Sequence, residues 1–414
     1  MTYIKKVTAL NLDSICLLVI FIYFTVANFF PNNIYYQIIT TIFILSLGLY
    51  IITKGGMSFC SYFVSNLMFI LYSYALVFLG VCISPNASLS LLKTISYTFI
   101  INFMLFNFIV YYGNLEKILK VYLWSSVVSL SSIMFICRKE LINGRLAMAF
   151  GQNEKSYVLF GIDVLVSPNA IAFFCSLSVF LSLLYIIKEK KFKYFFVMCF
   201  LVIGLMLTGS RKGLLLLVAG VIFILFTIYT KQRFESLLLS LLALGIVYLL
   251  TMNIPFLYNI IGERTQALIV SIFSDGPVSE ASIQTRKLLR QEAFSYFKRR
   301  PMLGYGIDTF RQMNKWHIIT DNNYLELLVS GGIVGLIIYY SWLPSALINN
   351  YRLKEKTAYY KILFFVMIFM FVLEYGQVTF LSRGSTLIYP FVFSYFSLCN
   401  KKYSKYGWRK KDDF

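Results

Sequence analysis

Arg211 and Lys212 are the only charged residues between Tyr194 and Thr230, and they sit in the turn Gly209-Ser210-Arg211-Lys212-Gly213. Glycines permit a tight turn, and Ser210 can donate a hydrogen bond or cap the helix that follows. Amides at a helix start, together with two cations, can converge on an anion, and arginine meets phosphate oxygens with paired hydrogen bonds. The alternative is a pair of interfacial cations flanking two spans. A second basic group lies on SIQTRKLLRQEAFSYFKRRP (282–301), which the spacing predicts as a helix stopped by Pro301. Arg286, Leu289, Arg290, Ala293 and Phe297 recur there on one face. That face suits a helix at the membrane–water interface, which either presents Arg286 to a phosphate or lets its arginines reach lipid headgroups.

Asp321 is the third candidate. It stands where a polar segment enters an apolar run, and His317 four residues earlier would share its face if the helix began that early. A carboxylate in a cleft can serve as a general base. It can equally cap the helix, with Asn322 and Asn323 as alternative caps. Gly304-Tyr305-Gly306 resembles half of a dinucleotide fingerprint, but without a strand–turn–helix context that reading is rejected. Arg145 and Ser167-Pro168-Asn169 precede another apolar run, where Pro is ordinary at a helix start.

These residues need apolar elements to hold them. The chain has 414 residues, 59% hydrophobic and 14% charged, against about 25% charged in ordinary soluble proteins. It reads as an all-α polytopic membrane protein with about twelve transmembrane helices and one large, partly helical external loop. The predicted spans are 12–30, 34–52, 58–83, 91–112, 118–137, 168–187, 194–208, 213–230, 236–253, 323–345, 360–377 and 384–399. Three regions follow. Residues 1–253 hold nine spans and an external loop at about 138–167. Residues 254–322 form the large external loop, and 323–414 hold three spans and a basic cytoplasmic tail. KEKKFK (188–193), KQR (231–233), YRLKEK (351–356) and the tail fall on the cytoplasmic side, while 31–33 and 84–90 carry no Lys or Arg. That is the positive-inside pattern, with both termini cytoplasmic.

The net charge of +20 is therefore explained by membrane topology and does not point to nucleic acid. Long loops translocate whatever their charge, so the nine Lys and Arg between 254 and 322 ask for an external role. A single histidine excludes a multi-histidine metal site, and seven cysteines without a C-x-x-C give neither a zinc site nor a disulfide framework. Lys5 and Lys6 precede a run long enough to span, and no small-residue cleavage site follows it. Ion-coupled transporters place ionisable groups within spans. Here the span centres are nearly free of charge, which disfavours a transporter or flippase.

Taken in order, these stretches resemble the O-antigen polymerase and O-antigen ligase superfamily of bacterial envelope proteins. The matching residues are Arg145, Pro168-Asn169, Gly209-Ser210-Arg211, Arg264, Arg286, Pro301, Gly304, Gly306, Phe310, Asp321-Asn322, Tyr324-Leu325, Gly332 and Gly335. The resemblance covers about 140–340 by motif and the rest by hydropathy. It implies a glycosyltransferase that needs neither metal nor cofactor and acts at the external face of the bacterial cytoplasmic membrane. Its substrate would be an undecaprenyl-diphosphate-linked oligosaccharide held in the lipid bilayer. A chain-length regulator and a flippase stay open as partners.

On this reading Arg211, Lys212, Arg264, Arg286 and Arg145 bind the donor diphosphate, whose departure develops negative charge. Asp321 is the candidate base, with His317 in reserve. The ligase branch carries His where this chain has Asp321. The expected activity is therefore a repeat-unit polymerase for a capsule, O-antigen or other surface polysaccharide, with transfer to another envelope acceptor as the alternative.

Overall fold

The computed structural model describes residues 2–26, 34–138, 156–159, 162–165, 168–228, 281–354 and 356–406, with isolated positions between 245 and 266. Arg145, Arg264 and most of the predicted span 236–253 lie outside the described residues. The elements are α1 (Thr2–Val26), α2 (Ile34–Lys54), α3 (Ser61–Phe78), α4 (Pro85–Tyr112), α5 (Leu115–Ile136), β1 (Ser156–Leu159) and β2 (Ile162–Leu165). They continue with α6 (Pro168–Glu189), α7 (Lys193–Leu207), α8 (Arg211–Ile228), α9 (Ala281–Arg299), α10 (Thr309–Met313) and α11 (Asn323–Tyr340). Last come α12 (Trp342–Arg352), α13 (Ala358–Glu374), α14 (Arg383–Thr386) and α15 (Ile388–Tyr406).

Among the described residues, six helices are long and apolar enough to cross a membrane, and two shorter apolar helices span Leu12–Val26 and Lys193–Leu207. The architecture is helical, as hydropathy predicts. One departure is β1–β2, an antiparallel hairpin pairing Ser156 with Leu165 and Leu159 with Ile162. It lies inside 138–167, which hydropathy predicts to be an external loop. The strands are four residues each, too short for an alternation pattern to register.

The chain divides into two compact units. The first comprises Met1–Ser46, Glu116–Ser279 and Thr357–Phe369. Within it α6 is apolar on all sides, and 78% of its spanning window is buried, as expected of a central helix. Helices α7 and α8 pack against it. A Cβ at Gly213 would run into Ala172, and one at Gly220 into the Phe180 ring. Small residues at these points let the helices approach closely, the packing that replaces hydrophobic driving force in lipid. Ser176 donates to the carbonyl of Ala172 at 2.8 Å and to that of Gly213 at 3.1 Å, so its hydroxyl is satisfied inside the bundle.

The second unit comprises Leu47–Leu115, Glu280–Lys356 and Met370–Phe414. There α3 packs on α4, α11 and α12, and α4 packs on α15. Aromatic rings fill the core: Tyr62 stacks on Tyr389 at 4.3 Å, and Trp342 meets Tyr389 edge-on at 5.2 Å. The predicted span 323–345 is not one straight helix. Gly332 breaks it with φ 65 and ψ −166, a conformation essentially reserved for glycine.

Candidate functional site

The break at Gly332 exposes backbone groups that an unbroken helix would pair, Ile333 N–H with Val329 C=O and Val334 N–H with Ser330 C=O. Each finds a partner in the loop 301–306. Tyr305 N donates to Val329 O at 2.9 Å and Gly306 N to Ser330 O at 2.8 Å. Ile333 N donates to Pro301 O at 2.8 Å and Val334 N to Met302 O at 3.3 Å. Backbone meets backbone so closely that a Cβ at Gly304 (φ 70) would lie 2.6 Å from Val329 O, and one at Gly332 would overlap the Met302 carbonyl. The Pro-x-x-Gly-x-Gly segment and the Gly-Gly-x-x-Gly of α11 are thus two halves of one joint. It is no dinucleotide fingerprint.

Onto this joint packs α9. Leu289 and Ala293 are buried against Tyr305, Phe310 and Val329. The apolar stripe predicted on this helix is real, but it faces protein, and the expectation of an interfacial face is corrected to that extent. The docking fixes the direction of Arg286 and Arg290, one turn apart on the same stripe. Arg286 Nε lies 2.6 Å from Asp321 Oδ2, with side chains 38% and 37% exposed. A pair this exposed is worth about 0.2–1 kcal/mol. Arg290 holds its guanidinium 4.6 Å over the Tyr375 ring and donates from Nη1 to the Tyr375 hydroxyl at 3.2 Å.

Asp321 does not cap α11. The cap is Asn322, whose side chain accepts from Leu325 N at 3.0 Å. Thr320 N donates to Glu326 at 2.9 Å, closing the turn before the helix. Asn323 bolts the helix start to a distant segment: its Oδ1 accepts from Thr379 N at 2.8 Å, and its Nδ2 donates to the Tyr340 hydroxyl at 2.9 Å. Tyr340 donates onward to Glu374 at 2.6 Å, and Thr379 donates to the other oxygen of the same carboxylate. The polar groups Asn323 and Glu374 are buried and satisfied by this network. The network of Asn323, Tyr340 and Glu374 escaped sequence reasoning because 51 positions separate Asn323 from Glu374.

His317 is exposed in an irregular segment at φ 53. The helix begins only at Asn323, so the shared helical face expected for His317 and Asp321 does not form. Asp308, also overlooked in the sequence, is buried at φ 66 and pairs with Arg311 at 2.5 Å. Burial pushes its carboxyl above the ordinary 3.8, and Arg311 works against that rise.

In the first unit, Ser210 does both things open to it. Its hydroxyl donates to Asn169 Oδ1 at 2.9 Å and accepts from Gly213 N at 3.3 Å, capping α8. Arg211 is the first residue of α8 and Lys212 the second. Pro168 opens α6, with Asn169 next to it. The Pro-Asn and Gly-Ser-Arg stretches, 41 positions apart at the bonded pair, are therefore one local structure.

Residues 195–340 match the family model described as O-antigen ligase. No curated protein matches the chain. The matched stretch contains the Gly209-Ser210-Arg211 turn, α9 with Arg286, the glycine joint, and Asp321 with its capping Asn322. Over those residues this multi-pass membrane chain is similar to the O-antigen ligase family, in agreement with the resemblance that its motifs carry.

Proposed function

We propose that the chain is a glycosyltransferase that extends a bacterial surface polysaccharide by moving the growing glycan from undecaprenyl diphosphate to a sugar hydroxyl of a new lipid-linked repeat unit. The observation that carries this reading is the Arg286–Asp321 pair, set at the entrance of α11 with capping left to Asn322. It places a carboxylate that can accept the proton of an attacking hydroxyl beside a cation that can hold an oxyanion. An exposed pair is weak, whereas a bond from a guanidinium to phosphate is charge-assisted and often bidentate. An arriving diphosphate would draw Arg286 from Asp321 and leave the carboxylate to act as general base. The proton would go to Asp321, the new glycosidic bond would form at the anomeric carbon, and the lipid diphosphate would leave with the bonding electrons.

Arg211 and Lys212, at the start of α8, are proposed as further donor-binding groups, with Arg264 and Arg145 assigned to the same role by resemblance and His317 kept as the reserve base. The family description favours a second reading, transfer of finished glycan to another envelope acceptor, by the same chemistry. Reconstitution separates them. Purified protein in liposomes is given native lipid-linked repeat units alone, then with EDTA. A product ladder spaced by one repeat supports the polymerase. A single product, formed only when a different acceptor is added, supports the ligase. Loss of product with EDTA would overturn the metal-independent mechanism.

A further inference from the structure

We propose that Tyr375, fixed by Arg290, is a stacking platform for a pyranose ring of the lipid-linked glycan, beside the Arg286–Asp321 pair. This rests on the transferase reading above and adds a sugar subsite to it. Arg286 and Arg290 lie four residues apart on α9, about 6 Å along the axis. Each meets a partner from another segment: Arg286 meets Asp321, and Arg290 meets Tyr375. The two contacts form neighbouring rungs between the same helix and the entrance of the site.

The chemistry of the second rung is that of a sugar contact. Tyr375 is 60% exposed although Arg290 covers part of its ring. An aromatic face is electron-rich, and the C–H bonds on one face of a pyranose carry partial positive charge, so the two stack. The Tyr375 hydroxyl is occupied by Arg290 Nη1, which fixes the plane of the ring. Arg290 Nε is buried and has no hydrogen-bond partner among the described residues, while its Nη1 is bonded to Tyr375.

The position of the ring is also fixed. Tyr375 follows Glu374, whose carboxylate is held by Tyr340 and Thr379, and Thr379 N is bonded to Asn323, two residues beyond Asp321. A tyrosine that only anchored the protein at the lipid surface would not need this registry with Asp321. A subsite that sets an acceptor hydroxyl against a base does need it.

The test uses the full chain in nanodiscs and two readouts. Oligosaccharides released by mild acid from the producing cell's own surface polysaccharide are titrated by saturation-transfer NMR, and ladder synthesis is measured in parallel. Tyr375→Ala is expected to weaken oligosaccharide binding at least tenfold, while Tyr375→Phe, which keeps the ring, stays within about threefold of wild type. Arg290→Gln should fall between them, since it frees the ring without removing it. Equal binding by wild type and Tyr375→Ala would overturn the platform, whether or not the ladder forms. So would the absence of any oligosaccharide binding by wild type. Tyr375-dependent binding with neither a ladder nor transfer to an added acceptor would keep the platform and sink the transferase reading instead. Tyr375→Phe reports on the ring should Tyr375→Ala fold poorly.

Discussion

Asp321→Asn separates chemistry from architecture, because the structure has already assigned the helix cap to Asn322. The substitution keeps size and polarity and removes only the carboxylate charge. What it takes from the fold is the contact with Arg286, whose partners are both more than a third exposed. After solvent screening that contact is worth about 0.2–1 kcal/mol, so the unfolding midpoint should move by no more than a few degrees. A general base contributes about 10²–10⁴-fold to rate, or roughly 2.7–5.5 kcal/mol of barrier at 1.36 kcal/mol per tenfold. The kinetic loss should therefore exceed the stability loss several times over. The assay is the initial rate of ladder formation in liposomes, paired with thermal unfolding of the same preparation. Asn322→Ala is the comparison, since it removes the real cap and should cost about 1 kcal/mol of stability. If Asp321→Asn keeps more than a tenth of the wild-type rate, or behaves as Asn322→Ala does, Asp321 is no base.

Other substitutions probe the supports. Gly332→Ala forces a side chain into a glycine-only conformation and against the Met302 carbonyl, and should cost about 3 kcal/mol or more, seen as a lower melting temperature and loss of folded yield. Ser210→Ala removes the α8 cap and the bond to Asn169, for about 1–2 kcal/mol by the same measurement, whereas Ser210→Thr should restore most of it. Arg286→Lys keeps the charge and loses the fork, so binding of lipid diphosphate should weaken about tenfold, measured by competition with inorganic diphosphate. For Asp308 the sign is worked from its raised folded pKa. The folded state binds the proton more tightly, so stability falls as pH rises above 3.8 through the folded value. Asp308→Asn, which tolerates the left-handed backbone there, should flatten that slope in a melting series from pH 4 to pH 7.

How far the sequence reveals this structure depends on the range of the interaction. The six helices long and apolar enough to cross a membrane were legible because each is a contiguous apolar run. Helix α9 was legible because its stripe and its terminating Pro301 are local signals, and Leu289 and Ala293 are indeed its buried face. The break at Gly332 was not, since a glycine in an apolar helix reads as small packing until the loop that bonds to it is known. Asp321 and Arg286 were each selected from sequence, but for separate roles. Their pairing, and the transfer of the cap to Asn322, depend on where α11 begins, which sequence fixes only to within a few residues. Arg290 belongs to the predicted stripe, but its partner is not legible there because Tyr375 is 85 positions away.

The glycines and the charges of residues 195–340 answer to different requirements, and the structure shows how the two are connected. The base proposed above must keep its place relative to a cation to within about half an ångström. Here Arg286 comes from α9 and Asp321 from the entrance of α11, and neither helix alone can set that distance. Helix α9 is seated on Tyr305 and Phe310, and the loop carrying them is bonded to α11 only because Gly332 opens the ladder and Gly304 admits the carbonyl of Val329. Replacing either glycine moves α9 against α11, and so moves Arg286 against Asp321, without touching a charged group. The glycine joint thus stands between the fold and the chemistry: it is the element through which a helix break, paid for by four loop hydrogen bonds, becomes a fixed separation between a cation and a carboxylate.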